Sequence, residues 1–185
     1  DHEPCPDLFR LHSNALAVIE TGPETDPRLP PDLRLLCFYL GKALQWSGNQ
    51  PQILWCASCE CPLDELANTS AVTWIIPEAA WVCPSCRTLG STHIQGRGSN
   101  HFQHSLLQVM PAAMRDLRNA LENPLKKALE VAQASPEECR GLFTLMEALT
   151  IYHIPGFDQA PLKSLRFLRE PKKLAVENSL DVSTH

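Results

Sequence analysis

The sequence predicts a mainly α-helical bundle that carries one small, β-rich, cysteine-bearing insert. Three observations predict it. Apolar residues recur at helical spacing near both ends of the chain. The middle switches to short runs of β-branched and aromatic residues. Five of the eight cysteines, Cys56, Cys59, Cys61, Cys83 and Cys86, crowd into that same middle.

The chain has 185 residues, 44% of them hydrophobic, which is enough for one packed core or two small ones. That apolar share excludes disorder throughout. No run of about 18 apolar residues exists, so no membrane span is expected. The formal charge of −5 disfavours a strongly basic nucleic-acid binder and leaves local patches open. The chain starts at Asp1 rather than Met and shows no secretory leader, which reads as a fragment or a processed form.

Residues 7–20 place Leu8, Leu11, Ala15, Val18 and Ile19 at helical spacing after Pro6. The next stretch, Thr21 to Pro31, is proline-rich and acidic, and reads as an extended connector. Asp32 is placed to cap a second helix with Leu33, Leu36, Cys37, Leu40 and Leu44 along one side. Beyond Gln52, Ile53–Trp55, Ala71–Ile76 and Trp81-Val82 read as strands, with a turn at Pro77-Glu78. Gly90–Asn100 reads as a loop and His101–Met110 as a helix. Pro111 to Leu121 and Leu125–Ala134 follow as helices, separated by Asn123-Pro124. Ser135-Pro136-Glu137-Glu138 is a helix start: Ser as N-cap, Pro at the first position, and Glu138 closing a capping box. That helix runs to about Tyr152, with Leu142, Phe143, Met146 and Leu149 inward. A last amphipathic segment spans Leu162 to Val176, interrupted at Pro171. The organisation is therefore a helical segment with its connector (1–51), an insert (52–92), a helical region (93–177) and a loose tail (178–185). These are read as one integrated unit, because isolated helices of this length need tertiary packing.

The insert carries the chemistry. Cys56-Ala-Ser-Cys59 and Cys83-Pro-Ser-Cys86 are separated by 23 residues. A two-residue spacer lets one tight turn aim both sulfurs at the same ion, and four thiolates surround Zn²⁺ tetrahedrally. Over about residues 54–90 this pattern resembles a zinc ribbon, which implies one structural Zn²⁺ bracing two loops. The chain departs from that pattern twice. Glu60 and Arg87 follow the second cysteine of each pair, where ribbon turns often carry Gly. Cys61 is also a rival ligand that could replace Cys56 or Cys59. A redox dithiol competes less well, because two pairs occur together and neither opens a clear helix after a strand. A disulfide scaffold, with Asn68-Thr69-Ser70 as a glycosylation sequon, is disfavoured in a chain long enough for a core. A reducing, intracellular setting, nuclear or cytoplasmic, is expected.

Other features carry less. Trp55, Trp74 and Trp81 are expected to pack around the metal turns rather than to stack bases. His93, His101 and His104 lack acidic partners for a metal site, and Gly96–Asn100 lacks the phosphate-loop pattern. Cys37 and Cys139 sit in helical patterns as small buried hydrophobes. Glu137-Glu138 belongs to a helix start and needs no catalytic role. Residues 1–32 hold seven acidic and two basic residues, whereas 163–173 hold Lys163, Arg166, Arg169, Lys172 and Lys173 against Glu170. This basic segment is the candidate contact for a protein partner or for nucleic acid. Arg87, Arg97, Arg115 and Arg118 would extend it if the fold gathers them. With no catalytic constellation, the chain is expected to be a non-enzymatic, zinc-stabilised adaptor or complex subunit that binds another protein. Nucleic-acid binding in transcription or RNA processing is the alternative, and no small-molecule substrate is expected.

Overall fold

The computed structural model of the protein describes residues 6–21, 31–89 and 106–154. The element order is α1 (Pro6–Thr21), α2 (Pro31–Trp46), β1 (Val72–Ile75), β2 (Ala80–Val82), α3 (Pro84–Leu89), β3 (Leu106–Val109), α4 (Pro111–Glu122), α5 (Leu125–Val131) and α6 (Pro136–His153). The described part is mostly helical, with one small antiparallel sheet ordered β2-β1-β3. This is the predicted class. Thr21 and Pro31, the ends of the expected connector, are helical, and its residues 22–30 lie outside the described residues, as do the Gly90–Asn100 loop, Cys5, His93, Arg97, His101, His104, the Leu162–Val176 segment with all five of its basic residues, and the tail.

Helix α2 is the centre of the bundle and touches α1, α4, α5 and α6. Its sequence explains this position: Leu33, Leu35, Cys37, Phe38 and Leu44 are all buried, so more than one side is apolar. The single stripe expected for it was too narrow. The helix starts at Pro31, so Asp32 lies in its first turn rather than before it. Against α2 pack Leu11 and Val18 of α1, Leu117 and Leu121 of α4, and Leu142, Leu145, Met146 and Leu149 of α6, all in one buried cluster. The same cluster takes in Cys56, Trp74, Trp81 and Cys83, so bundle and insert share a core.

Helix α6 begins as its sequence predicts. The Ser135 hydroxyl accepts from the Glu138 N–H, and the Glu138 carboxylate accepts from the Ser135 N–H. Helix α5 stops at Val131, short of the expected Ala134. The reason is Asp116 on α4: its buried carboxylate accepts the Gln133 N–H at 3.0 Å and the Ala134 N–H at 2.8 Å. Those amides are held by a side chain and do not continue the helix.

Two strand assignments change. Residues 106–109 form β3, where a helix was expected over His101–Met110. Pairing with β1, from Val72↔Val109 to Ile75↔Leu106, satisfies their backbone groups in place of a helical turn. The sheet therefore takes its third strand from beyond residue 92. Ile53–Trp55, expected as a strand, makes only one isolated bridge, Trp55↔Pro62. Among the described residues no helix is long and apolar enough to cross a membrane.

Candidate metal centre

Two turns and their strands build the site. The chain enters the first knuckle from Trp55, where the Cys56 N–H donates to the Cys61 carbonyl and the Glu60 N–H donates to the Cys56 carbonyl, both at 2.9 Å. Closing so tight a loop puts Glu60 in the left-handed region at φ 59. Gly adopts that conformation freely, and its absence from the sequence was the first departure from the ribbon pattern. The backbone takes the ribbon shape regardless. The second knuckle follows β2 directly, and α3 opens between its cysteines at Pro84. Contrary to expectation, Cys83-Pro-Ser-Cys86 does stand between a strand and a short helix, as a redox dithiol would.

The arrangement of the sulfurs weighs against that dithiol on other grounds. Those of Cys56, Cys59, Cys83 and Cys86 all lie within 4.8 Å of one another. Four sulfurs at about 2.3 Å from a central Zn²⁺ would be about 3.8 Å apart, and Cys59 Sγ and Cys83 Sγ are 3.8 Å apart. Backbone N–H groups aim at the sulfurs as well: Ser58 and Cys83 donate to Cys56 Sγ at 3.4 and 3.3 Å, and Cys86 donates to Cys83 Sγ at 3.4 Å. Such donors stabilise thiolates rather than thiols. Cys61 is outside this group of four and points its thiol at the Pro62 carbonyl, 3.6 Å away. The seven described cysteines are all unbridged.

Charge explains why the cluster calls for a cation. Burial pushes the Cys56 thiol up, but the surrounding amide donors outweigh it and bring the group down to about 7. For Cys86, contact with Ser58 pulls downward, yet the neighbouring thiols of Cys59, Cys83 and Cys56 push it up to about 12. The first thiolate forms readily and the last is opposed by its neighbours. A dication at the centre reverses that opposition, so the donor set fits Zn²⁺ held as a structural ion with no ligand position left open.

The centre is fastened to the bundle by a brace that no sequence signal announced. Arg115 of α4 donates to the carbonyls of Leu63 and Leu66 at 3.0 and 2.7 Å and to the Asn68 side chain. Arg118 pairs with Asp64 at 2.9 Å. These partners lie about fifty residues apart in the chain, beyond the reach of periodicity or motif. Of the four arginines expected to extend a basic surface, Arg115 and Arg118 are thus engaged with the loop after the first knuckle, while Arg87 stands on α3. Of the three insert tryptophans, Trp74 and Trp81 are fully buried, and Trp81 Nε1 donates to the Ile53 carbonyl at 3.0 Å. Trp55 remains 44% exposed.

With that geometry in place, comparison adds one relative. The chain is similar to the DNA repair protein RecO of Cutibacterium acnes (strain DSM 16379 / KPA171202), at 31% identity over 93 residues. The match covers 50% of this chain and 35% of the relative, so the chain spans about a third of that protein's length. No family model matches the sequence, and no solved structure matches it.

Proposed function

We propose that this chain is a non-enzymatic, zinc-stabilised subunit of DNA-repair machinery, acting as an adaptor that binds a protein partner. The observation that carries the reading is the closed set of four sulfurs, of which Cys56 and Cys83 are packed into the same core as the helices. An ion with four protein ligands offers no position for substrate or water and braces the surfaces around it. The likeness to a DNA repair protein supplies the setting. That same likeness favours a second reading, in which the chain also contacts nucleic acid through Lys163, Arg166, Arg169, Lys172 and Lys173.

Metal analysis of reduced protein tests the scaffold. One equivalent of Zn²⁺ is expected. Replacing Cys56, Cys59, Cys83 or Cys86 by Ser lowers metal content and melting temperature together, whereas Cys61→Ser leaves both unchanged. Metal-free protein with an unchanged melting curve refutes the brace. Anisotropy titration with single- and double-stranded oligonucleotides tests the second reading. Affinity should fall steeply with salt as neutralised phosphates release counterions. Replacing the five basic residues by Glu should abolish it, and binding indifferent to salt and to those changes rejects that contact.

A further inference from the structure

Helix α1 is apolar on two sides, and the described residues cover only one. Leu11 and Val18 are buried, whereas Phe9, Leu16 and Ile19 are 74%, 62% and 59% exposed. At 100° per residue, Phe9, Leu16 and Ile19 fall on one stripe with Leu8 and His12, beside the buried side. His12 holds a place in that stripe by stacking on Tyr39 of α2, with Tyr39 Oη 2.7 Å from His12 Nδ1. We propose that this stripe is the docking site for residues 162–176 of the same chain, a segment outside the described residues.

Charge and pattern select this occupant. The stripe belongs to the acidic part of the sequence, residues 1–32, with seven acidic residues against two basic. Residues 162–176 repeat leucines at Leu162, Leu165 and Leu168 beside Lys163, Arg166 and Arg169, so apolar and basic residues alternate, and on α1 the acid that borders the stripe is Glu20, next to Phe9 and Leu16, while Asp7 pairs with Arg10.

Reach permits the contact. Arg34 donates to the Ala134 carbonyl just before α6, and the Cys37 thiol points to the Cys139 carbonyl, so α2 and α6 start together. They also finish together. Gln52, just past α2, donates to the Ala79 carbonyl, and His153 at the end of α6 meets the Ile76 carbonyl at 2.8 Å in the same turn. Tyr39, beside which α1 lies, is seven residues from the end of α2, about 10 Å along the axis. Residues 155–161 span up to about 25 Å. Exposed Trp46 and Tyr152 stand at that end of the bundle.

Area distinguishes this occupant from a second copy. The aromatic member of the stripe offers about 150–250 Å² when fully exposed and the aliphatic ones less. Stable interfaces between separate molecules need about 600 Å² or more from each partner. The stripe alone falls below that. A segment of the same chain is present at millimolar effective concentration and holds with less.

Hydrogen exchange followed by mass spectrometry on the full chain, without nucleic acid, tests the inference apart from any DNA contact. Amides of 162–176 should exchange at least about tenfold more slowly in the wild type than in Leu16→Glu or in Leu165→Glu. Added salt should speed them, because screening weakens the charge attraction. Leu16 is exposed, so the variant should keep its melting temperature and its exchange pattern in α2 and α6. Full exchange of 162–176 in the wild type, or protection untouched by Leu16→Glu, overturns the proposal. Protection that rises with protein concentration assigns the stripe to a second copy and overturns it equally.

Discussion

Gly41 of α2 faces Leu117 of α4 so closely that a Cβ on Gly41 would stand 2.6 Å from Leu117 Cδ1. The Leu121 side chain would be 3.5 Å away. Gly in the middle of a helix normally costs about 1 kcal/mol relative to Ala. Here its missing side chain lets two core helices approach, and the tip of the fully buried Leu117 would have to shift to admit a Cβ. Gly41→Ala should therefore destabilise the protein by about 1 kcal/mol, overpacking outweighing the propensity gain. Gly41→Ala combined with Leu117→Val should cost less than the two changes summed, by about 0.5–2 kcal/mol in a double-mutant cycle from urea unfolding. Strict additivity would show that the two positions do not compete for the same space.

Glu60 predicts the opposite sign. Its φ of 59 places a Cβ in the left-handed region, where a non-glycine residue is disfavoured by about 1–2 kcal/mol. Gly removes that strain and adds unfolded-state freedom, which offsets part of the gain. Glu60→Gly should raise the stability of the metal-loaded protein by about 0.5–1 kcal/mol. A calorimetric melt checks it, and a lower melting temperature would show that the Glu side chain contributes more than its backbone costs.

These two glycine questions mark the boundary of what was legible. Amphipathic spacing, the Ser135–Glu138 box and the paired cysteines are local signals, and the structure carries each of them as α1, α6 and the sulfur cluster. Residues 106–109 take strand form because β1 is there to pair with them, and no local pattern contains that partner. The left-handed turn at Glu60 is imposed by closing a knuckle, against the residue's own preference. Arg115 and Arg118 read in the sequence as extensions of a basic surface, and Asp116 carried no signal at all. Their roles depend on loops brought back by the fold, residues 63–68 in one case and 133–134 in the other. Of the α1 residues read at helical spacing, Leu11 and Val18 are buried, whereas Leu8 and Ile19 are exposed together with Phe9 and Leu16, an outcome that depends on where the neighbouring helices lie.

Asp64 gives the brace a pH dependence. The hydrogen bond from Arg118 holds its carboxyl below the ordinary range, with the charges of Arg118 and Arg115 adding to the effect. A lowered carboxylate contributes stability that is present above its unfolded value, about 3.9, and is lost as pH falls through the folded value. The Asp64 side chain is 60% exposed, so screening limits the contribution to under about 1 kcal/mol. Asp64→Asn should thus be slightly less stable than wild type from pH 7 to about pH 5, and the gap should close below about pH 4. Urea midpoints across that range decide it. A gap that widens in acid would reverse the sign and remove the ion pair as its cause.

Asp116 carries the opposite pH signature and a larger stake. Burial raises its carboxyl above the ordinary range, although the amides of Gln133 and Ala134 pull it part of the way back. Its neutral form is therefore the one folding favours: that contribution is complete below the unfolded value and fades as pH rises through the folded one. Asp116→Asn mimics the neutral group and keeps an oxygen to accept both amides, as Oδ2 does at 3.0 and 2.8 Å, but gives up the second acceptor, Oδ1, which also takes the Gln133 N–H at 3.0 Å. It should lie within about 1 kcal/mol of wild type at pH 7 and compare least well in acid, where the native carboxyl is also neutral. Asp116→Ala leaves both amides without their acceptor, one of them buried, and should cost about 2–4 kcal/mol, with the larger cost in acid. Because those amides set where α5 stops and α6 starts, Asp116→Ala should also speed hydrogen exchange at Gln133 and Ala134 ahead of global unfolding. Unchanged exchange there would mean that the turn is held by the Ser135 cap alone.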